Sequence, residues 1–422
     1  MENANHVVQA RKEKFEYLLG TKLLYEFSSA SETILCVDKV QNKFDMNFST
    51  PHLAITMSRY ARALGYLAST KCLLDTIENE YYILNKSIRK HLKKNSIYVG
   101  KGVFEISDVN RFVQDIVIYS VSILHFGKLY KTDKKLQSAT EFFFQDYPTF
   151  LESSSRFPSI GLALLKYGKQ YEANDFIQTI VDNLDFFNLD YKSMYAHSFL
   201  KSLNMAYMNT SSKLANVIVD ISLNPEMYSK LAQEQILLIK KYGNTINLMN
   251  LEEMEYLDAV IKESLRLSGT TKSHLKKTEV SYLLSNGYTI PKGSYVGFNL
   301  FAHNRNEQYF GENPSSYIPE RHINSGTRLL DVSPDNFIWG VGKRMCPARE
   351  YAVAQMKLVV AILIRGFQVS QNDNVFLKHH QGYEESYNLF PRNPKVFFQP
   401  HNIMNFRSVY SDIDPFEISE EL

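Results

Sequence analysis

A single cysteine in a glycine-containing turn, within the run Trp339-Gly-Val-Gly-Lys-Arg-Met-Cys-Pro-Ala348, is the feature that most constrains this sequence. Gly340 and Gly342 lack Cβ atoms, so the backbone can turn tightly there and come close to a flat ligand. Cys346 can supply a sulfur ligand once deprotonated, and we expect nearby positive charge and backbone N–H groups to favour the thiolate. Arg344 offers a fixed fork of donors for a carboxylate. The turn therefore predicts a metal held by one thiolate, next to an anionic group.

A buried helix is predicted directly after this turn. Proline is tolerated in a first helical turn because its missing N–H would be unpaired there anyway, so we expect the helix to begin near Pro347. The helix dipole favours a thiolate at that end. From these residues alone, a small buried side chain in a loop is the alternative interpretation of Cys346. The apolar positions at helical spacing are Ala352, Val353, Met356, Val359, Val360 and Leu363.

Composition excludes several classes of protein. The chain has 422 residues, 44% of them hydrophobic and 22% charged, which is typical of a globular protein. Its formal charge of +2 gives no reason to expect a nucleic-acid partner. Cys36, Cys72 and Cys346 are too few and too scattered for a disulfide framework or a zinc cluster. The sequence contains no apolar run of about 18 residues, so it predicts no membrane-spanning helix. We therefore expect a cytoplasmic protein.

Helices dominate the predicted secondary structure. Residues 1 to about 97 are interpreted as helical segments with a strand near 33–37, and helical periodicity continues over 110–260. Pro225 marks a helix boundary, because proline disfavours a helical conformation at the residue before it. A further helix is predicted around Leu257 to Leu267.

A smaller β-rich part follows these helices. Asn286-Gly287 predicts a hairpin turn. Residues 295–301 alternate between apolar and other side chains, as a half-buried strand requires. The last residues, 408–422, carry five acidic side chains and no basic one, and are interpreted as a loose acidic tail. Since no linker divides the chain, we expect one domain over residues 1–422.

Two further motifs precede the cysteine turn. Glu263-Ser-Leu-Arg266 places two opposite charges three residues apart on a predicted helix, where they can pair. Pro319-Glu-Arg-His322 adds a third charged group, Arg321. A Glu-x-x-Arg sequence by itself is common and most often a solvated pair, so only the order and spacing of all three motifs carry information.

These three motifs resemble those of the cytochrome P450 family. In that family an aromatic-Gly-x-Gly-x-Arg-x-Cys-x-Gly run carries the axial thiolate of the haem, and here Ala348 stands at the last glycine. The resemblance implies that Cys346 is the proximal ligand of the iron of haem b, and that the rest of the run binds the cofactor. It also implies a mainly α fold with a smaller β-rich part. The matching residues are Trp339, Gly340, Gly342, Arg344 and Cys346.

The resemblance assigns further residues. Glu263, Arg266 and Arg321 would form a buried charged triad beneath the haem, which is reasonable because buried charges persist only when they are paired and hydrogen-bonded. The family commonly has an arginine before its Ile-Pro segment that binds a haem propionate, and Lys276 takes that position. Lysine keeps the charge but lacks the bidentate fork, and an exposed loop lysine is the alternative.

The distal motif of the family, Ala-Gly-x-acid-Thr, is altered in this chain. With a one-residue gap, Asn209 and Thr210 match the acid and the threonine, whereas without the gap Asn209 takes the threonine position. Asn209 can hold a water molecule but cannot titrate, so proton delivery would depend on Thr210, water or the substrate. Tyr207 replaces the glycine and is expected to crowd the site. An ordinary core helix is the alternative.

The family also implies partners and a reaction. We expect a monooxygenase or oxidoreductase that receives electrons from NADPH through a flavin reductase and oxidises a small aromatic or hydrophobic substrate. Eukaryotic relatives usually have an N-terminal membrane anchor, which is not recognisable here, so peripheral attachment to the endoplasmic reticulum is the expected alternative to a free cytoplasmic location. The region before Asn209 is short, which implies a chain truncated at the N-terminus and in the substrate roof, with an open pocket.

A weaker resemblance concerns the substrate. The run Ile290-Pro-Lys-Gly-Ser-Tyr-Val-Gly-Phe-Asn299 resembles the fungal enzymes that oxidise N-formyltyrosine and couple it into dityrosine for the spore wall during sporulation. A degenerate member with weak or lost catalysis is the first alternative, because the distal motif is altered. A non-enzymatic helical interaction module, in which Cys346 is only packed, is the second.

Overall fold

A computed structural model describes residues 7–12, 14–37, 70–145, 200–269, 275–333, 336–342, 345–371, 380, 382–384, 389–392 and 395–405. Arg344 and the acidic tail at 408–422, both singled out in the sequence, lie outside these residues.

Helices make up most of the described chain, as predicted. They are α1 (Leu24–Ser29), α2 (Thr70–Asn95), α3 (Val109–Thr132), α4 (Lys134–Gln145), α5 (Leu200–Leu223), α6 (Pro225–Tyr242), α7 (Leu248–Glu252), α8 (Glu255–Leu267), α9 (Leu300–His303), α10 (Glu307–Phe310), α11 (Glu320–Asn324) and α12 (Arg349–Gly366).

The strands form a smaller β part. They are β1 (Val7–Lys12), β2 (Lys14–Leu19), β3 (Leu35–Cys36), β4 (Ser96–Gly100), β5 (Val103–Ile106), β6 (Lys276–Thr278), β7 (Tyr282–Leu283), β8 (Thr289–Ile290), β9 (Tyr295–Phe298), β10 (Phe367–Ser370) and β11 (Val396–Pro400).

Three sheets are described. The largest has the order β1-β2-β9-β6-β3, in which β2 and β9 run parallel and the other pairs antiparallel. A second sheet, β10-β11-β5-β4, is antiparallel throughout. The β7–β8 ladder is the hairpin expected at Asn286-Gly287, and Gly287 has the positive φ of 83° that such a turn needs.

Helices α2, α3, α5 and α12 pack together in the main hydrophobic cluster. Helix α12 is buried on nearly all sides, from Tyr351 to Ile364, as expected of a helix that is apolar all round. The cysteine turn leads directly into this helix, so the position of Cys346 depends on the packing of the main hydrophobic cluster.

Several predicted boundaries are confirmed. Helix α6 begins at Pro225, and the side chain of Asn224 caps it by accepting a hydrogen bond of 3.0 Å from the N–H of Met227. Helix α8 covers the stretch predicted around Leu257 to Leu267, and β3 lies within the predicted strand at 33–37.

Two secondary-structure predictions are wrong. Residues 7–12 and 14–19 form paired strands rather than helices, because their ladder continues onto β9 in the largest sheet. Strand β9 lies between β2 and β6, is buried on both faces rather than on one, and ends at Phe298. The side chain of Asn299 then caps α9 by accepting a hydrogen bond from the N–H of Ala302, which stops the strand before 301.

Candidate functional site

Backbone hydrogen bonds close the cysteine turn on itself. The N–H of Cys346 donates to the carbonyl of Trp339 at 2.8 Å, and the N–H of Gly340 donates to the carbonyl of Phe337 at 3.0 Å. Gly340 and Gly342 have φ angles of 74° and 69°, a conformation that side chains with a Cβ rarely adopt. The turn therefore requires its two glycines for the reason expected from the sequence.

Neighbouring segments press closely on this turn. A Cβ placed on Gly342 would lie 3.1 Å from the carbonyl oxygen of Ser28, at the end of α1. The indole N–H of Trp339 donates to the carbonyl of Leu329 at 2.6 Å. Trp339 and Ala348 both pack against the main hydrophobic cluster. These contacts hold both ends of the turn in place.

The sulfur of Cys346 lies in a less polar environment than the sequence suggested. Burial raises the pKa of the thiol, while the backbone N–H of Ala348 and the charge of Arg349 act in the opposite direction. The N–H and the charge thus favour the thiolate as expected, but burial outweighs them, and a bound cation would have to supply the rest. The helix begins at Arg349 with Ala348 as its N-cap, so Pro347 lies in the turn before it.

Glu263, Arg266 and Arg321 are brought together. Arg266 donates from Nε to Oε2 of Glu263 at 2.8 Å and from Nη2 to Oε1 at 2.7 Å. Arg321 Nε donates to Oε1 at 3.0 Å. The side chains of Glu263 and Arg266 are 0% and 2% exposed, and that of Arg321 is 11% exposed. This is a buried ion cluster rather than the solvated pair that is commonest for such a sequence.

A fourth member of this cluster is His322, the last residue of the Pro319-Glu-Arg-His322 motif, which was not among the predicted site residues. Its Nε2 lies 2.8 Å from Oε2 of Glu263. Burial raises the pKa of Glu263, but hydrogen bonds from Arg266 and His322 and the charge of Arg266 outweigh it and lower the pKa to about 2. Since an ionised carboxylate only accepts, His322 Nε2 carries the proton. Its position directly after Arg321 was the feature of the sequence that could have assigned it to the cluster.

Backbone carbonyls take up the remaining donors of the two arginines. Arg266 Nη1 donates to the carbonyls of Asn304 and Pro314, the latter at 2.6 Å. Arg321 donates to the carbonyls of Phe310 and, at 3.2 Å, Asn313. The cluster thus ties α8 and α11 to the chain between them, which precedes the cysteine turn.

Lys276, the expected propionate partner, lies on β6. Its Nζ donates to the carbonyl of Phe27 at 2.6 Å and lies 4.6 Å from the centre of the Phe27 ring. Phe27 belongs to α1, the helix whose Ser28 approaches Gly342. Lys276 and the cysteine turn therefore both contact the last residues of α1.

The two expected distal residues lie on different sides of α5. Asn209 is exposed, whereas Thr210 is buried, with 8% of its surface accessible. Tyr207 is buried in the main hydrophobic cluster, where burial raises the pKa of its phenol. Tyr207 packs into the core while Asn209 lies on the accessible face, and the crowding of the distal site by Tyr207 stays a prediction.

Comparison with known families identifies the region that contains this site. A family model described as Cytochrome P450 matches residues 196–386, a stretch that includes every site residue predicted from the sequence. This match confirms the predicted fold, mainly α with a smaller β part, and haem as the cofactor that the family binds.

Individual relatives match part of the chain. Taxoid 2-alpha-hydroxylase from Taxus canadensis is 33% identical over 167 residues, which are 38% of this chain and 32% of that protein. Cytochrome P450 10 from Lymnaea stagnalis is 32% identical over 170 residues, 40% of this chain and 31% of the relative. Cytochrome P450 monooxygenase 71 from Postia placenta is 30% identical over 211 residues, 46% and 40% of the two chains.

The chain thus matches between about a third and two fifths of the length of these relatives. In the part of the chain that the structure describes, none of the helices has the length and apolar character needed to cross a membrane.

Proposed function

We propose that this chain, whose residues 196–386 match the cytochrome P450 family, is a haem-thiolate oxygenase in which Cys346 holds the iron. The single observation that carries the proposal is the position of Cys346, closed into a double-glycine turn at the start of the buried helix α12. We take residues 1–422 as one domain of this kind, cytoplasmic or peripheral at the endoplasmic reticulum membrane.

The residues present fit a haem. Gly340 and Gly342 have φ angles of 74° and 69°, which let the turn close tightly and bring Cys346 to the start of α12. The Cys346 thiol is half-buried, and this burial raises its pKa, so an iron cation would stabilise the thiolate form that burial disfavours. Trp339, Gly340 and Ala348 would pack around the cofactor, with Arg344 and Lys276 as the cations for its propionates.

When bound, thiolate-ligated haem iron activates dioxygen, which is the chemistry that the protein itself lacks. The protein's share is positioning. The Glu263–Arg266–Arg321 cluster, together with His322, fixes the segment that leads into the cysteine turn. Asn209, exposed on α5, can hold a water molecule through its amide, and Thr210 can pass a proton only if its buried hydroxyl is reached.

For the reaction we propose oxidation of a small aromatic substrate, with electrons supplied from NADPH by a flavin reductase. The names of relatives, a hydroxylase and a monooxygenase, support oxidation by dioxygen. The altered distal motif suits a phenol, whose own hydroxyl can release a hydrogen. In the specific form of the proposal, two N-formyltyrosine molecules each lose one hydrogen atom and their rings join. These two hydrogen atoms, with two electrons from NADPH and two protons, reduce dioxygen to two molecules of water. This is the route to fungal spore-wall dityrosine.

A spectrum tests the cofactor. The reduced, carbon-monoxide-bound protein is expected to show the red-shifted Soret band of thiolate-ligated haem, and Cys346→Ala is expected to lose it. A histidine-type band in the unmodified protein would rule out Cys346 as the ligand. Cys36→Ala is the matched control, since Cys36 lies on β3, outside the turn, and its loss should leave the band unchanged.

A second experiment tests the reaction. Purified protein, a flavin reductase, NADPH and N-formyltyrosine are incubated in air, and dityrosine fluorescence is measured. Product that disappears in Cys346→Ala supports coupling. Haem with the thiolate band but neither dityrosine nor hydroxylated product would favour the second candidate, a degenerate member that has lost turnover. The observation favouring that candidate is Asn209, an amide on the exposed face of α5 where the family motif has an acid.

A further inference from the structure

Helix α5 has one accessible face among its described side chains. Ala206, Asn209 and Lys213 follow one another at spacings of three and four, which places them on one face of the helix. Ala206 and Lys213 are half-buried and Asn209 is exposed, while Tyr207 and Leu214 are buried. Lys213 thus lies one turn from Asn209 on the accessible face of the helix.

The ammonium of Lys213 has an unusual environment. Its Nζ donates to the carbonyl oxygen of Ser268 at 2.5 Å, and the burial of this group lowers the pKa of Lys213 to about 8. In contrast, Nζ of Lys230 lies 2.9 Å from Oε1 of Glu320, and Nζ of Lys357 lies 3.0 Å from Oδ1 of Asp258. Within the described residues, no carboxylate lies within 4.0 Å of Lys213, although an ammonium has three N–H donors and a buried charge is costly without a counter-ion.

The same corner holds a second polar group. The Oγ of Ser268 is fully buried and has no hydrogen-bond partner among the described residues. Gly269 follows directly, and a Cβ there would lie 2.8 Å from Nδ2 of Asn304, so the backbone next to Ser268 is tightly packed on that side. A buried hydroxyl is normally hydrogen-bonded, and its lack of a partner next to an uncompensated ammonium indicates a site for an oxygen-bearing ligand.

We propose that Lys213 and Ser268 form a subsite that binds the carboxylate of an acidic substrate. A carboxylate oxygen accepts from Lys213 Nζ, which neutralises the buried charge, and the Ser268 hydroxyl donates to the same group. The subsite lies one helical turn from Asn209, so a small molecule can place its acid at Lys213 and its reactive part beside Asn209. This inference rests on the proposed oxygenase function and names the chemical class of its substrate.

A purely structural role for Lys213 is the competing explanation. Ser268 is the residue that ends α8, and a lysine on the last carbonyls of a helix is stabilising in itself. That role uses one of the three N–H donors and makes no distinction between charged and neutral ligands. Discrimination between an acid and its amide therefore separates the two explanations.

The test compares N-formyl-L-tyrosine with N-formyl-L-tyrosine amide, which share the ring and the formyl group and differ in charge. Affinities are measured by equilibrium dialysis on the protein as isolated. The unmodified protein is expected to bind the acid roughly ten- to a hundredfold more tightly, since a charged hydrogen bond contributes about 1.5–3 kcal/mol. Lys213→Met is expected to abolish the preference, Lys213→Arg to retain part of it, and Ser268→Ala to reduce it by less.

Lys230→Met is the matched control, because Lys230 is another half-buried lysine on a neighbouring helix but is already paired with Glu226 and Glu320. It should leave the preference for the acid unchanged. Equal affinity of the unmodified protein for acid and amide, or a preference that survives in a folded Lys213→Met protein, would overturn the subsite.

The carbon-monoxide spectrum, recorded on the same samples, keeps this result separate from the proposed function. A thiolate band without acid preference refutes the subsite alone, whereas acid preference without haem refutes the oxygenase. Affinity for the acid should also fall as the pH rises through the pKa of Lys213, while affinity for the amide should stay level.

Discussion

Nε2 of His322 lies 2.8 Å from Oε2 of Glu263, the same oxygen that accepts from Nε of Arg266 at 2.8 Å. One carboxylate therefore serves three side-chain partners on two helices, and its own side chain is 0% exposed. The arrangement is coupled, because removal of the central charge leaves two arginines without a counter-ion in the protein interior.

Glu263→Gln should lower the free energy of unfolding by about 3–5 kcal/mol, the usual cost of an uncompensated buried charge. Chemical denaturation measures this difference. The matched control is Glu253→Gln, which removes a carboxylate 2.8 Å from Lys241 on the surface and should have little effect, since exposed pairs contribute little. Similar losses in the two variants would contradict a buried ion cluster.

Gly342→Ala should destabilise the cysteine turn by about 1–3 kcal/mol, because it adds both strain at a positive φ and a contact 3.1 Å from the carbonyl of Ser28. We expect lower haem content as well. Gly293→Ala serves as the control, since Gly293 has a φ of 85° but nothing within 4 Å of the added Cβ. If both variants retain the same haem content, the close packing at Gly342 does not determine haem binding.

Glu80 should make stability depend on pH. Its carboxyl group is buried against hydroxyls, with Tyr351 Oη donating to Oε1 at 3.1 Å and Ser120 Oγ to Oε2 at 3.4 Å. Burial raises the pKa of Glu80 from 4.5 to about 8, despite these two hydrogen bonds. Because the folded protein holds this proton more tightly than the unfolded chain, the stabilisation is greatest below pH 4.5 and is lost as the pH rises towards 8.

The loss attributable to Glu80 should be about 1.4 kcal/mol per pH unit between these two pKa values. Glu80→Gln keeps a neutral side chain of similar shape, so the difference in unfolding free energy between variant and parent should grow with pH. Denaturation curves recorded from pH 5 to 8.5 measure it. A difference that does not vary with pH would show that Glu80 is ionised throughout.

Asn209→Ala should lower the amount of product formed per dioxygen consumed more than Thr210→Ala does. The reason is exposure, because Asn209 lies on the accessible face of α5 whereas Thr210 is buried. The measurement is the ratio of product to dioxygen consumed, with hydrogen peroxide as the by-product. A larger effect from Thr210→Ala would indicate that the buried hydroxyl carries the proton.

Local patterns predicted much of this molecule. The apolar spacing after Cys346 predicted α12, Asn224-Pro225 predicted the start of α6, and Asn286-Gly287 predicted a hairpin, because each depends on residues close in the chain. The first strands were missed, since β2 is specified by its parallel pairing with β9, nearly three hundred residues away. Non-local pairing leaves only a weak trace in local periodicity.

The sequence by itself determined the residue types of the site: the Cys346 turn with its two glycines, the order of the Glu263, Arg266 and Arg321 motifs, and the absence of an acid at Asn209. Only the tertiary structure decided which groups meet. In the folded protein His322 joins the Glu263 cluster, and Tyr207 packs into the core. Lys213 donates to the carbonyl of Ser268, and among the described residues no carboxylate pairs with its ammonium. Burial and charge pairing depend on segments far apart in the chain, so they arise only when the helices pack.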